Sequence, residues 1–455
     1  GRSDYKKNGL LFIIYRLYTR KEGTYAMMQY YSRNRPKEDK YCIFPPHLFE
    51  RYRERVLKDT NLPEEDTIFK FLQNDNGTFK DIPKYHEKHI DSLFCVTTEG
   101  VMLGKKLNDT IMIAKTYISY EMLKGSQSIE FENPPFLICS GNIVGKKESE
   151  GPLGELFDKM DPSDLFGENT WEAAESKMQK EACLGTLRKA GIGPEAVRYL
   201  YGGDLLRQGI ATSMGAEALQ IPMFGLYGAC STSGEALALS SMCVAAGYGE
   251  YVLAVTSSHF GSAEKEFRFP LGYANQRPLS AQWTVTGSAA FLVGTRPSNV
   301  RIAGVTVGKI VDYGLKDSQN MGACMAPAAC DTIVQNLEDF GYREQDYDRI
   351  FTGDLGYVGQ SILFDLMRKR GKDIKRNHTD CGMIIYNQKK QDTNAGGSGC
   401  GCAAVTLSAY ILPKIASGEW KRVLFVPTGA LMSTVSFNEG ESVPGIAHGI
   451  ILEHC

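Results

Sequence analysis

Between Phe136 and Thr428 the sequence passes from β-like to helical runs and back, and it goes through that cycle twice. The first pass runs Phe136–Ile143 (strand), Thr170–Lys189 (helix), Val197–Gly202 (strand), Leu205–Gln220 (helix), Met223–Gly228 (strand), Ser231–Gly247 (helix) and Tyr251–Ser257 (strand). After Pro297 the order recurs: Val300–Lys309 (strand), Met325–Gly341 (helix), Arg349–Gly353 (strand), Gln360–Gly371 and Gly396–Ile415 (helices), and Arg422–Thr428 (strand). Short apolar strands separated by helices of this length predict parallel βαβ units with both sheet faces covered. The repeat predicts an internal duplication. The expected fold class is therefore a layered α/β fold with two similar halves, 126–298 and 299–455.

Residues 1–125 have a different character. They carry 22 Lys+Arg against 17 Asp+Glu, a net of +5, whereas the rest of the chain has 29 against 36, a net of −7. They also hold 11 of the 23 tyrosines but only 7 of the 47 glycines. A fusion boundary within Glu121–Pro135 accounts for these shifts, and the first part is expected to be a separate mixed α/β segment. Helices are predicted over Pro46–Asn61, from Asp66 to Gln73, and over the Ile- and Met-containing stretch Gly104–Lys124. The basic, Tyr-rich stretch Arg16–Lys40 is read as a solvated face over packed tyrosines rather than a phosphate-binding surface. His86 and His89 have helical metal-ligand spacing but lack further partners.

The whole chain of 455 residues has a net charge of −2, which gives no electrostatic case for nucleic acid as a partner. No apolar run reaches the length of a bilayer span. Gly9–Tyr15 is too short for one, and no small-residue cleavage site follows it, so a signal peptide is not expected. Twelve cysteines in a chain of this length read as reduced thiols of a cytoplasmic protein. Cys400 with Cys402 and Cys324 with Cys330 lack CxxC spacing and a following His pair, so they are read as packing thiols. No metal and no cofactor are expected.

The most informative segment is Gly225–Val244, where a strand leads through Gly228-Ala229-Cys230 into a helix opening on Ser231-Thr232-Ser233. Glu235 follows Thr232 at capping-box spacing. A thiol at such a turn faces free N–H groups and the positive end of the helix dipole, which predicts a lowered pKa. GLYGACST resembles the nucleophile turn of the thiolase and ketoacyl-synthase superfamily. VLAVTSSHFGSAEKEFRFP, AQWTVTGSAAFLVG, FTGDLG, NAGGSGCGCAA and VPTGALMS resemble, more narrowly, the stage V sporulation protein AD family of endospore-forming bacteria. The resemblance covers residues 126–455 and leaves 1–125 outside. It implies a thiolase-like five-layer αβαβα fold and a homodimer. It also implies binding of dipicolinic acid, alongside other proteins of the same spore membrane transport system. A cytoplasmic or peripheral location on the spore inner membrane follows from that role.

A condensing enzyme needs, besides the thiolate, a His–His or His–Asn pair to stabilise an oxyanion and move protons. Where the first His is expected this chain has Gly353-Asp354-Leu355-Gly356, and where the second His or Asn is expected it has the run Gly396–Cys402. Asn394 precedes that run, and His378 is the nearest substitute. The expectation is a non-catalytic site that binds a flat dianion. Cys230, Ser231 and Thr232 would supply N–H groups, and His259, Lys265, Arg268 and Arg277 would supply charge. Gln282 and Trp283 would supply an amide and a stacking face, and Asp354 would hold the pyridine nitrogen or one of these bases. The rival readings are an acyl-CoA condensing enzyme or thiolase with Cys230 as the acylated nucleophile, and a scaffold whose function lies in its interfaces.

Overall fold

The computed structural model describes residues 11–32, 40–74, 78–80, 92–96, 100–107, 111–119, 127–267 and 276–455. The chain divides into two compact units, Gly1–Ser126 and Gln127–Cys455.

Among the described residues of the first unit seven strands form one sheet: β1 (Leu11–Arg20), β2 (Gly23–Ser32), β3 (Lys40–Phe44), β4 (Thr78–Lys80), β5 (Ser92–Val96), β6 (Gly100–Lys106) and β7 (Ile111–Ser119). Their order is β1-β2-β3-β7-β6-β5-β4. Helices Pro46–Tyr52 and Glu64–Asn74 close a core in which the Phe71 ring meets Phe44, Phe49 and Tyr52 edge-on. Among the described residues, the helix expected over Gly104–Lys124 does not form. β6 and β7 pair antiparallel instead, with Lys105 opposite Ile113 and a bulge at Gly104. Ile111, Ile113, Thr116, Tyr117 and Ile118 favour a pleated backbone, and cross-strand pairing outweighs the helical spacing that suggested otherwise. In the Tyr-rich stretch, Tyr18 and Tyr25 stack at 5.0 Å across the β1–β2 hairpin, with the Arg20 guanidinium 5.7 and 5.8 Å from the two rings. His86 and His89 lie outside the described residues.

The second unit carries the duplication. Its first half contributes β9 (Phe136–Val144), β10 (Tyr199–Gly203), β11 (Met223–Gly225), β12 (Tyr251–Ser258) and β14 (Gly287–Gly294). The second contributes β15 (Val300–Thr306), β16 (Arg349–Thr352), β17 (His378–Asp380), β19 (Arg422–Val426) and β22 (Gly449–His454). The hydrogen-bonded order is β11-β10-β12-β14-β9-β15-β22-β19-β16-β17, so each half runs third, second, fourth, fifth, first. The βαβ pattern predicts a parallel sheet; the sheet is mixed instead. In each half the fifth strand, β14 or β22, is antiparallel to both its neighbours.

Two helices of 20 residues, Trp171–Ala190 and Met321–Phe340, occupy equivalent places. Each begins at a side-chain cap, Thr170 accepting from Ala173 N–H and Asn320 from Ala323 N–H. Each ends at a left-handed glycine, Gly191 or Gly341, the conformation that closes a helix at least cost without a Cβ. These helices pack on the outer faces, while Thr232–Ala245 and Cys400–Thr406 are the buried inner pair. The result is the thiolase-like five-layer αβαβα fold. Helix Cys400–Thr406 begins at Cys400 and not at Gly396, because Gly397–Ser398 form a short strand, β18, beside β13 (Trp283–Thr284).

Candidate functional site

The duplication places two cysteine turns at the starts of the two inner helices. In the first half the chain leaves β11 and turns through Ala229, whose φ of 51° is unusual for a residue with a Cβ, so that Cys230 stands just before helix Thr232–Ala245. The turn satisfies itself. Ser231 N–H and hydroxyl both donate to Gly228 O, and Thr232 N–H and hydroxyl both donate to Ala229 O, the hydroxyls at 2.7 and 2.6 Å. Thr232 Oγ1 also accepts from Gly228 N–H at 3.0 Å. The expected Thr232–Glu235 capping box does not form, because the Thr232 hydroxyl is spent behind it. Glu235 Oε2 is buried without a hydrogen-bond partner among the described residues. Ser231 and Thr232, both fully buried, therefore have no N–H left for a ligand.

Asp354 reaches Cys230 from the other half. It follows β16, is wholly buried, and accepts from Thr428 Oγ1 at 2.8 Å and from Gly399 N–H at 2.9 Å. Burial pushes its carboxyl up to about 7, against the pull of Gly399 N–H and the Cys230 thiol. The Cys230 thiol is itself driven well above its ordinary value, by burial first and then by the Asp354 charge. The expectation of a lowered thiol pKa is thus reversed: desolvation and a neighbouring carboxylate outweigh the helix dipole. Cys230 is thus held toward its protonated form beside the Asp354 carboxyl. A second buried carboxyl, Asp380, stands behind Asp354, raised to about 6 by burial; it accepts from Thr352 Oγ1 and from the N–H groups of Leu355 and Gly356.

No histidine among the described residues lines the Cys230 pocket. His378 Nε2 donates to Thr352 Oγ1, because that hydroxyl is committed to Asp380, and its Nδ1 accepts from Gln360. Burial holds its pKa down to about 3. Asn394 donates to the carbonyls of Arg277 and Pro278 and does not enter the pocket. The pocket itself is small, about 40 Å³, and includes Tyr227, Glu264, Thr284, Ser398 and Met432.

The other sequence candidates separate into different places. Gln282 is buried and its amide donates to Asp354 O and Gly397 O, bracing the aspartate's backbone. His259 Nε2 contacts Asp164 O at 2.7 Å while Nδ1 accepts from Gly261 N–H, so the ring is neutral and fully used; burial lowers its pKa. Lys265 is exposed and pairs with Glu172 at 3.6 Å, lining neither pocket. Arg268 lies outside the described residues. His259 and Trp283 line a second, larger cleft of about 330 Å³. There the Trp283 and Phe260 rings stack at 4.0 Å, with Lys147 Nζ 4.0 Å and the Arg277 guanidinium 4.6 Å from the Trp283 ring centre. Sequence reasoning missed Lys146, Lys147 and Phe260. The available signal was a Lys pair directly after an apolar strand and an aromatic directly after His259.

The fold is thiolase-like, and at the Cys230 turn the neighbouring ionisable side chain is the Asp354 carboxyl, with no histidine among the described lining residues. Residues 125–453 match the family model of Stage V sporulation protein AD, and the chain belongs to that family. It is 41% identical over 331 residues to the Stage V sporulation protein AD of Bacillus subtilis (strain 168), covering 73% of this chain and 98% of that one. Among solved structures it is similar to 3-oxoacyl-[acyl-carrier-protein] synthase III from Aquifex aeolicus VF5, at 13% identity, 70% and 100% coverage and a TM-score of 0.44. It is also similar to Xanthomonas campestris OleA, at 15% identity, 72% and 99% coverage and a TM-score of 0.49.

Proposed function

We propose that this sporulation protein is a non-catalytic, thiolase-like binder of dipicolinic acid that serves its uptake into, or release from, bacterial spores. The observation that carries the reading is the pairing of a neutral, buried Cys230 thiol with Asp354. A thiolate nucleophile needs a lowered pKa, whereas that of Cys230 is raised, and an oxyanion needs donors where Asp354 places an acceptor. Membership of the sporulation family supports the biological setting. No helix among the described residues is long and apolar enough to cross a membrane, so the reading assigns passage to other proteins of the same spore membrane transport system. The chain would dock peripherally on the spore inner membrane. A homodimer is part of the proposal. β11 is an edge strand, and Phe224 on it is 52% exposed while stacking on Tyr201, a surface suited to a second copy.

The test is calorimetric titration of the full chain with dipicolinate, alongside incubation with acetyl-CoA and measurement of intact mass. Saturable dipicolinate binding with no acylated Cys230 is expected. An acetyl thioester on Cys230 would restore the condensing-enzyme reading.

A further inference from the structure

We infer that a polar cavity in the first unit is a site for a small amino acid with a second amino group, its carboxylate held at Arg53 and its ammonium groups at Glu22, Glu50 and Glu64. The site lies in the first unit and is independent of the dipicolinate reading. The cavity measures about 180 Å³. That is room for about six waters at roughly 30 Å³ each, and less than drug-sized ligand sites, which begin near about 300 Å³. Three segments meet around it. The β1–β2 turn brings Glu22 and Gly23, and the first turn of helix Glu64–Asn74 brings Glu64 and Thr67. Helix Pro46–Tyr52, with the π-helical turn Arg53–Leu57 that follows it, brings Pro46, Phe49, Glu50 and Arg53, positions that share one helix face.

The walls are fixed by contacts of their own. Thr24 N–H donates to Glu64 Oε1 at 2.9 Å and Tyr25 O–H to Glu22 Oε1 at 3.0 Å, so the hairpin is tied to the second helix and each carboxylate is held through one oxygen. Gly23, at φ 123°, lets the turn close on its neighbours: a Cβ there would lie 2.8 Å from Pro46 Cβ and 3.2 Å from Glu64 Oε1. The Arg53 guanidinium donates to Leu62 O at 3.0 Å, while its Nε is buried with no hydrogen-bond partner among the described residues. A buried donor left in that state costs desolvation energy that a ligand carboxylate would recover, and the guanidinium fork suits a carboxylate best. The rest of the lining asks for cations. Three carboxylates stand against one guanidinium, a formal charge of −2, so a ligand of net +1 with two ammonium groups moves the site toward neutrality and an anion moves it away. Pro46 and Phe49, both buried, offer an apolar surface for the methylenes between the charged ends.

The experiment is calorimetry on the full chain with three probes: L-lysine, cadaverine, which keeps both amines without the carboxylate, and L-norleucine, which lacks the second amine. Lysine should bind saturably, and each of the other two about tenfold more weakly or worse, as expected for loss of a charge-assisted contact. Glu50→Gln, at an exposed position, should weaken lysine and cadaverine together. Arg53→Gln should erase the preference for lysine over cadaverine, and Arg53→Lys, which keeps the charge, should retain part of it. Circular dichroism of each variant checks that the fold is intact, and Glu50→Gln with Arg53→Lys carries the test if Arg53→Gln does not fold. Absence of lysine binding would overturn the site. Equal affinity for lysine and cadaverine in the unaltered chain would overturn the role of Arg53. Lysine binding that neither Glu50→Gln nor the Arg53 variants change would show that the ligand sits elsewhere.

Discussion

The two inner-helix turns are the same device built twice, and they differ in what each has been left to do. At Cys230 the turn contains a residue with a Cβ in a left-handed conformation, and the thiol borders a pocket. At Cys400 the equivalent turn contains Gly399 at φ 104°, and the thiol is sealed, donating to Ser257 O at 2.8 Å. The aspartates cross over. Asp354 of the second half faces Cys230 of the first, while Asp204 of the first half, following β10 as Asp354 follows β16, is among the charges that raise Cys400. Asp204 is saturated by Thr212 and Leu206, so it behaves as a structural clamp. Asp354 shares its acceptor capacity with a thiol. Duplication therefore supplied a frame twice, and only one copy kept an opening beside its cysteine.

The strongest way to sharpen this comparison is pH. Glu148 and Asp380 are raised to about 6, Asp354 to about 7, and Glu175 is raised by burial and by Asp204. Each binds its proton more tightly folded than unfolded. Stability is therefore greatest near the unfolded carboxyl pKa values and falls as pH climbs through the folded ones. Unfolding free energies from urea titrations between pH 5 and pH 8 should decline, by on the order of a few kcal/mol. A midpoint that rises with pH would show these carboxyls ionised and paired instead.

Next in size is Gly399→Ala. The added Cβ would lie 2.5 Å from Ser258 Oγ at a positive φ, and overpacking of that kind costs about 1–3 kcal/mol. Ala229→Gly is the matched change at the other turn, expected to alter stability by less than about 1 kcal/mol and in the favourable direction. Equal losses at both positions would dissolve the distinction between the turns. Thiol labelling followed by peptide mass spectrometry separates them differently: Cys230, which borders a pocket, should react before Cys400, and both should remain slow at neutral pH because both thiols are raised.

Much of this was legible in the residues. The 20-residue helices, the apolar strands and the Cys230 turn follow from periodicity, glycine stops and N-cap types. The replacement at Asp354 was visible because GDLG stands where a histidine motif belongs. The repeat is legible as a recurring order of elements, but residue by residue only once the fold aligns Gly203-Asp204-Leu205 with Gly353-Asp354-Leu355, each 150 positions apart. β14 and β22 have no counterpart among the strands expected from the sequence, and their pairing shows both running antiparallel to their neighbours. The thiol pKa was misjudged because a dipole is local to sequence whereas burial and a charge from the other half are not. The cleft was half legible: Trp283 and Arg277 were named, but Lys147 comes from more than a hundred residues away and meets them only in three dimensions.

The short pairing of β13 with β18 gives the molecule a cross-brace. Trp283 lies opposite Gly397 and Thr284 opposite Ser398, and Gly399, the next residue, donates to Asp354. The Gln282 amide spans the same joint from Asp354 O to Gly397 O. The wall of the cleft in one half is thus a rung on a ladder whose other rail belongs to the second half. Local separation of the halves at this joint would have to break the rung and the Gly399–Asp354 bond together, so this seam frays later than the edges of the sheet.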